Sequence, residues 1–284
     1  MTGRAPAGPD LPWGRRTFLM GIVNCAPDSF SGDGCADAAS AVARGLEQAA
    51  AGADILDVGG ESSRPGAEPV PADVEAGRVL PVLAALRAAG RPLSIDTQKA
   101  DVAAAALAAG ARIVNDVWGL RRERRLAELA AAHGAALVIV HNRTARPAVD
   151  GLGGLYPEAP YADLLGEVRR ELLEAAGWAE AAGLPRDRIW LDPGLGFGKT
   201  PAQSLELLRR LPELRLGYPL LVGPSRKSFI GRVLGLPVGQ RLEGTAAAVA
   251  LAAAGGADLV RVHDVAAMAR VVAVADAVCR GWSP

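Results

Sequence analysis

The chain has 284 residues, half of them apolar, 22% charged and 4% aromatic, with 31 Lys plus Arg balancing 31 Asp plus Glu. That is globular composition with enough chain for a sizeable core, either two domains or a single α/β barrel of about 250 residues. The zero net charge argues against a bulk electrostatic partner such as nucleic acid or an anionic membrane, while leaving room for a small cationic pocket.

Residues 1–16 are rich in Pro, Gly and Arg and carry no apolar h-region; they read as a flexible N-terminal extension rather than a signal peptide. From there short, nearly continuous Val/Ile/Leu runs alternate with segments of helical spacing, as in parallel strands covered on both faces. The predicted order is strand Phe18–Asn24, helix Ala38–Ala51, strand Asp54–Gly59, helix Val74–Ala89, strand Leu93–Thr97, helix Asp101–Ala109, strand Arg112–Val117, helix Arg124–His133 and strand Ala136–His141. The second half continues with helix Tyr161–Ala182, strand Ile189–Pro193, helix Ala202–Leu211, strand Leu220–Gly223, helix Thr245–Ala254 and strand Leu259–His263. Eight βα units in one chain of this length, with no linker or composition break, predict a single-domain (β/α)8 TIM barrel over residues 17–284. An open doubly wound sheet would want a Gly-rich first turn, and Met20-Gly21-Ile22-Val23-Asn24 is not one. Thr245–Ala257, the longest weakly apolar stretch, is too short to span a bilayer. Cys25, Cys35 and Cys279 have no CxxC spacing, so neither a disulfide framework nor a zinc pattern emerges and the expected setting is the reduced cytoplasm.

A barrel places its chemistry where strands end at their C-terminal edge. Those ends are Asn24, then Gly59-Gly60-Glu61-Ser62-Ser63-Arg64-Pro65, Asp96-Thr97, Asn115-Asp116, His141-Asn142-Arg143, Asp192-Pro193-Gly194, Ser225-Arg226-Lys227-Ser228 and Arg261-Val262-His263-Asp264. Asp96, Asn115 and Asp192 offer carboxylates and an amide suited to the donor-rich edge of a flat heterocycle. Arg64, Lys227, Arg261 and His263, with Ser63 and Asn24, offer donors for an anion such as a phosphate or diphosphate. The rim therefore reads as an acidic floor beside a basic lip. Mg²⁺ fits a bound diphosphate, using substrate oxygens, waters and one protein ligand, Asn24. Several of these residues also have plain structural readings. Asp57 and Asp116 can be supporting or loop-capping groups, Glu61 a turn cap, His133 a helix C-cap and His141 a satisfied core histidine. Gly196-Phe197-Gly198 alone is a weak phosphate signal, and no base accompanies Cys25 in sequence to make it a nucleophile.

Taken together, these stretches resemble dihydropteroate synthase. The likeness is carried by Met20–Asn24, Pro27–Ser31, Asp57–Gly66, Ser94–Thr97, Val114–Val117, Leu191–Lys199, Ser225–Gly231, Glu243–Thr245 and Arg261–Val265. The resemblance implies a Mg²⁺-assisted, cytoplasmic homodimer that condenses 6-hydroxymethyl-7,8-dihydropterin diphosphate with 4-aminobenzoate. It implies that Asp96, Asn115, Asp192 and Lys227 hold the pterin, and that Asn24, Arg64, Arg261 and His263 hold the diphosphate. It implies that Phe30, Ser63, Pro65, Phe197 and Ser228 contact the aminobenzoate, between loops matched by Asp28–Gly34 and Ser62–Gly66. Asp96, Lys227 and Arg64 are the expected catalytic residues. Two stretches depart from the family pattern: Cys25-Ala26 where a hydroxyl-bearing threonine is usual, and Asn142-Arg143-Thr144 after the histidine. The alternatives are a pterin-binding methyltransferase-type barrel and an inactive folate-binding relative, against which the cationic residues argue, since a bare pterin brings no anion.

Overall fold

The structure is a computed structural model and describes residues 9–26, 35, 37–62, 69–144, 148–150, 152–155 and 160–282. The eight expected strands are present: β1 (Phe18–Asn24), β2 (Ile55–Gly59), β3 (Leu93–Asp96), β4 (Ile113–Asp116), β5 (Ala136–Val140), β8 (Ile189–Asp192), β9 (Leu221–Val222) and β10 (Leu259–Val262). They pair in parallel in the order β8-β5-β4-β3-β2-β1-β10-β9, and a parallel bridge between Leu191 and Leu220 closes the ring. The intervening helices are α1 (Ala38–Ala50), α2 (Ala72–Leu86), α3 (Ala100–Ala108), α4 (Arg125–His133), α5 (Leu164–Ala181), α6 (Pro201–Arg209), α7 (Ser228–Leu234), α8 (Leu242–Ala254) and α9 (Val265–Arg280). The fold is a (β/α)8 barrel.

Three elements were not in the sequence reading. The short α7 and the final α9 lie in segments that open on functional motifs. The third is an antiparallel hairpin, β6 (Ala148–Asp150) with β7 (Gly153–Leu155), inserted between β5 and α5; three-residue strands are too short to leave a period-2 signal.

The alternation of side chains along each strand explains why one end carries the chemistry. The ring's interior cluster contains Phe18, Met20, Ile55, Ile113, Ala136, Val138, Trp190, Leu221 and Leu259. Two residues beyond Ile55, Ile113, Trp190 and Leu259, on the same face, stand Asp57, Asn115, Asp192 and Arg261. Low layers are thus apolar and sealed, and the upper layer is polar. The outer faces of the strands pack on the helices through the larger cluster that includes Leu56, Val58, Ile95, Val114, Leu137 and Val260.

Residues 9–16, within the expected N-terminal extension, make contacts with the barrel. Leu11 and Trp13 pack against the base of the interior cluster. The Trp13 ring meets Phe18 at 5.6 Å and Trp190 at 5.2 Å, both edge-on. Arg188 Nη1 donates to Pro9 O and Arg280 Nη1 to Gly14 O. Composition hid this because one aromatic with two buried aromatic partners outweighs its Pro/Gly-rich surroundings. Trp13→Ala is expected to lower the unfolding free energy by about 2 kcal/mol, less than for a fully buried tryptophan because this one is only partly buried. Denaturant titration checks the loss. The kinetic constants should not move, because Trp13 sits at the end of the barrel opposite the strand C-termini.

Candidate active site

Register brings the rim groups level. Asn24 pairs with Gly59, Gly59 with Asp96, and Asp96 with Asn115. Asp96 and Asn115 are thus neighbours on adjacent strands, and Gly59 leaves the space between Asn24 and Asp96 free of side chain. Across the ring, Arg261 rises from β10 into the gap. Its Nε donates to Asp57 Oδ2 at 2.6 Å and its Nη2 to Asp96 Oδ2 at 2.7 Å. Asn115 Nδ2 donates to the same Asp57 oxygen at 2.9 Å. Asp57 is fully buried, its Oδ1 without a partner, as is Asn115 Oδ1. Arg261, expected on the basic lip, thus stands beside the carboxylates and balances two of them. A buried carboxylate stays in a barrel interior only if a cation reaches it, and Asp57, read from sequence as a supporting group, is what fixes the guanidinium.

Burial pushes the Asp96 carboxyl up to about 7, against the pull of Arg261 and with further push from Asp57 and Glu75. Burial also raises Asp192, again opposed by a cation, Lys227. Asp192 Oδ1 accepts from the Gly194 N–H at 2.7 Å. Lys227 itself is brought down to about 8 by burial, which Asp192 only partly offsets and Arg261 reinforces. Its ammonium donates to Leu195 O and lies 4.4 Å from the centre of the Phe197 ring. Lys227, Phe197, Asp192 and Asp96 thus share one mouth, with Ser228 beginning α7 beside them. His263 follows β10; Ser225 Oγ accepts from the His263 amide at 3.2 Å and lies 2.9 Å from Nδ1. Phe30, Ser63, Arg64 and Pro65, and the loop Asp28–Gly34, lie outside the described residues.

The Gly-rich stretch after β8 is not a phosphate loop. Lys199, its one cation, is 2% exposed and turned beneath the mouth. Its ammonium reaches His141 Nδ1 at 2.9 Å and the carbonyls of His141, Gly194 and Phe197 at 3.1–3.2 Å. His141 is held neutral, lowered to about 4 by burial and by Lys199, and its Nε2 meets Glu171 Oε2 at 3.1 Å. Arg121 and Arg143 close on the other side of that carboxylate. Although burial opposes it, these bonds keep Glu171 well below the usual carboxylate range. The plain reading of His141 as a satisfied core histidine therefore holds, and the chain Lys199–His141–Glu171 ties the β8–α6 loop to β5 and α5. Gly194 is required in that loop: φ is 67°, and a Cβ there would lie 1.9 Å from His141 O. Asp116 caps its own turn, accepting from the Trp118 and Leu120 amides at 2.9 and 2.6 Å. His133 closes α4 through Leu129 O. Glu61, expected to cap a turn, instead pairs with Lys99, which also holds the buried Glu75.

A family model described as pterin binding enzyme matches residues 20–263. The dihydropteroate synthase of Synechocystis sp. is 46% identical over 280 residues, 97% of this chain and 95% of that protein. The Bacillus subtilis dihydropteroate synthase is 44% identical over 270 residues, 94% and 90% of the two chains. The chain belongs to the pterin-binding enzymes, as a member of the dihydropteroate synthase family. Its geometry agrees with solved members of that family. The Clostridium difficile dihydropteroate synthase, determined in the presence of pteroic acid, gives a TM-score of 0.86 at 41% identity, covering 95% of this chain and 100% of that one. The Xanthomonas albilineans enzyme with 4-aminobenzoic acid gives 0.82 at 43% identity, covering 93% of each.

Within the dihydropteroate synthase pattern, the substitutions at Cys25 and Ala26 leave an apolar strand end. Both residues are buried, and burial raises the Cys25 thiol to about 12, with Cys35 adding to the rise. Cys25 is thus no nucleophile at neutral pH. After His141, Asn142 donates to Val117 O at 2.9 Å and accepts from the Thr144 N–H at 2.7 Å, while Arg143 joins Glu171. This departure is structural support for the loop at the end of β5.

Proposed function

We propose that the chain condenses 6-hydroxymethyl-7,8-dihydropterin diphosphate with 4-aminobenzoate, giving 7,8-dihydropteroate and diphosphate. The observation that carries the proposal is the convergence of Asp96, Asn115, Asp192, Lys227 and Arg261 on one barrel mouth in a chain of this family. Asp96, Asn115 and Asp192 face the ring's N–H donors, Lys227 donates to its acceptors, and Arg261 with His263 meets the diphosphate. Arg64 joins them there, while Phe30, Ser63, Pro65, Phe197 and Ser228 contact the aminobenzoate.

The C–O bond to diphosphate breaks and the arylamine nitrogen bonds to the same methylene, then gives up a proton. The ring can carry the positive charge left when diphosphate departs, so departure can precede attack. The protein's task is then electrostatic: neutralise the leaving group and keep a carboxylate, Asp96, beside the developing cation. The arylamine is already neutral at pH 7 and needs no strong base to free its lone pair.

Mg²⁺ is part of the reading as a companion of the diphosphate. Among the described residues no three His, Cys, Asp or Glu stand close enough to hold a metal. The proposed ligand is a single one, the Asn24 side-chain oxygen at the end of β1. Such a donor set suits an ion that takes its remaining oxygens from substrate and water; when bound it would neutralise leaving-group charge. A homodimer and a cytoplasmic setting complete the proposal. The exposed Leu251, Val274 and Val278 on α8 and α9 offer an apolar surface for a second copy, and no helix among the described residues is long and apolar enough to cross a membrane. Residues 17–284 are taken as one barrel domain and 1–16 as its N-terminal extension.

The test is diphosphate release from the dihydropterin diphosphate, with and without 4-aminobenzoate and with and without Mg²⁺. Release coupled to dihydropteroate formation and dependent on Mg²⁺ is the expected result. Tight pterin binding without release under any of the four conditions overturns the proposal.

A further inference from the structure

Arg226, the residue before Lys227, has φ 58°; among the described residues only one other non-glycine, Leu120, has positive φ. The left-handed region is strained for a side-chain-bearing residue and persists only where its surroundings insist on it. Here they do. The Arg226 N–H donates to Thr245 Oγ1 at 3.1 Å, and its guanidinium makes two bonds to Asp264, at 3.0 and 2.6 Å. Its carbonyl accepts from Arg241 Nη1 at 2.9 Å.

Arg241, just before α8, is 1% exposed. Its other bonds also go to main-chain carbonyls: Nε to Leu236 O and Nη2 to Leu152 O, both at 3.1 Å. One guanidinium therefore joins the β9–α7 turn, the α7–α8 connection and the turn of the β6–β7 hairpin. The fold reserves space for it. A Cβ at Gly231 would lie 2.2 Å from Nη2 and 2.3 Å from Cζ, so α7 carries a glycine where the guanidinium crosses it. A buried cation bonded to carbonyls is a costly way to tie loops together, and the planar fork is what lets one side chain serve three segments.

We propose that Arg241 is a positioning residue for Lys227: it locks the left-handed turn at Arg226 that aims the lysine across Phe197 toward Asp192, and sets the β6–β7 hairpin in register with that turn. The inference rests on the reading of Lys227 as a pterin-holding group. Arg241→Met removes the fork while keeping much of the volume. It is expected to raise KM for the dihydropterin diphosphate about 10-fold with kcat changed less than about threefold, the signature of lost ground-state positioning. Lys227, no longer held in its desolvated place, should regain a higher pKa, so the alkaline limb of kcat/KM should move up. Arg241→Lys, a point charge that cannot span three carbonyls, should rescue only in part. Should Arg241→Met lose its cooperative melt, the pair Arg226→Gly and Arg226→Ala decides. Glycine takes φ 58° without strain and should keep a lower KM than alanine. Lys227→Ala run alongside separates the two claims. If it weakens pterin binding while a folded Arg241→Met leaves both KM and the alkaline limb at parent values, or if the two Arg226 variants match, the positioning role is overturned. If Lys227→Ala leaves pterin binding intact, the reading of the site itself fails.

Discussion

Replacing Asp96 with asparagine is expected to cut kcat about 100-fold, a loss of about 2.7 kcal/mol in transition-state stabilisation, while the barrel still melts cooperatively. The substitution keeps shape and one hydrogen-bond acceptor for Arg261, whose other carboxylate partner, Asp57, remains at 2.6 Å. What it removes is a negative charge beside a ring that becomes positive as diphosphate leaves. The pH dependence separates this role from simple packing. Asp96 sits at about 7, so the ionised form that the chemistry needs grows in through neutral pH. The kcat/KM profile should therefore rise through about pH 7 and fall above about pH 8, where Lys227 loses its proton. In Asp96→Asn the acid limb should vanish and the alkaline limb remain. Stability runs the other way. The folded Asp96 carboxyl is raised above its ordinary 3.8, so the folded chain binds this proton more tightly than the unfolded chain. The group's contribution is fully favourable below about pH 4 and is lost as pH rises toward 7. Asp96→Asn should flatten that decline in an unfolding titration. Parent-like turnover with an unchanged acid limb would remove Asp96 from the chemistry.

Why the mouth could be read from the sequence follows from the alternation that builds it. Leu259-Val260-Arg261-Val262-His263 reads as a buried parallel strand whose inward residues turn from apolar to cationic, and the same change runs through Trp190-Leu191-Asp192 and Ile113-Val114-Asn115. Periodicity carries both the barrel and the candidates at its rim, because strand, burial and site share one repeat. What it cannot carry is the partner of each charge. Arg261 reads as a lip residue since nothing in sequence relates it to Asp57, 204 positions away. Lys199 reads as part of a Gly-rich anion loop since its burial depends on His141 and on carbonyls that any residue could supply. Arg241 sits between Gln240 and Leu242 like a solvated helix-start arginine, and nothing in sequence relates it to the three carbonyls it binds or to the space that Gly231 leaves it. Helix α7 is hard to read because seven residues opening on Lys227-Ser228 look like the end of a motif, whereas α9 is long enough to carry a helical pattern.

Arg261→Met is expected to fail twice, and the two failures can be separated. The variant leaves Asp57 fully buried with only the Asn115 amide still bonded to it among the described residues, and it strips Asp96 of the cation 2.7 Å away. Removing one partner of a buried ion pair costs about 3–5 kcal/mol, most of it the penalty of the charge left behind. Asp96, already raised by burial, would hold its proton still more tightly without the guanidinium, so its folded pKa rises further and the deficit grows with pH through the neutral range. Unfolding titrations at acid and mildly alkaline pH check the sign: the variant should approach the parent at low pH and fall away from it as pH rises. The second failure is in substrate binding, where loss of the guanidinium proposed to meet the diphosphate should weaken affinity about 100-fold. The double variant Arg261→Met with Asp57→Asn distinguishes them. It removes the stranded charge and should restore most of the stability, since a neutral amide can stay buried against Asn115 at far lower cost. If binding returns with stability, Arg261 is a counter-ion for Asp57 and nothing more. If stability returns alone, the guanidinium fixed by two carboxylates is the group that meets the leaving diphosphate, and Asp57 is in the barrel to hold it there.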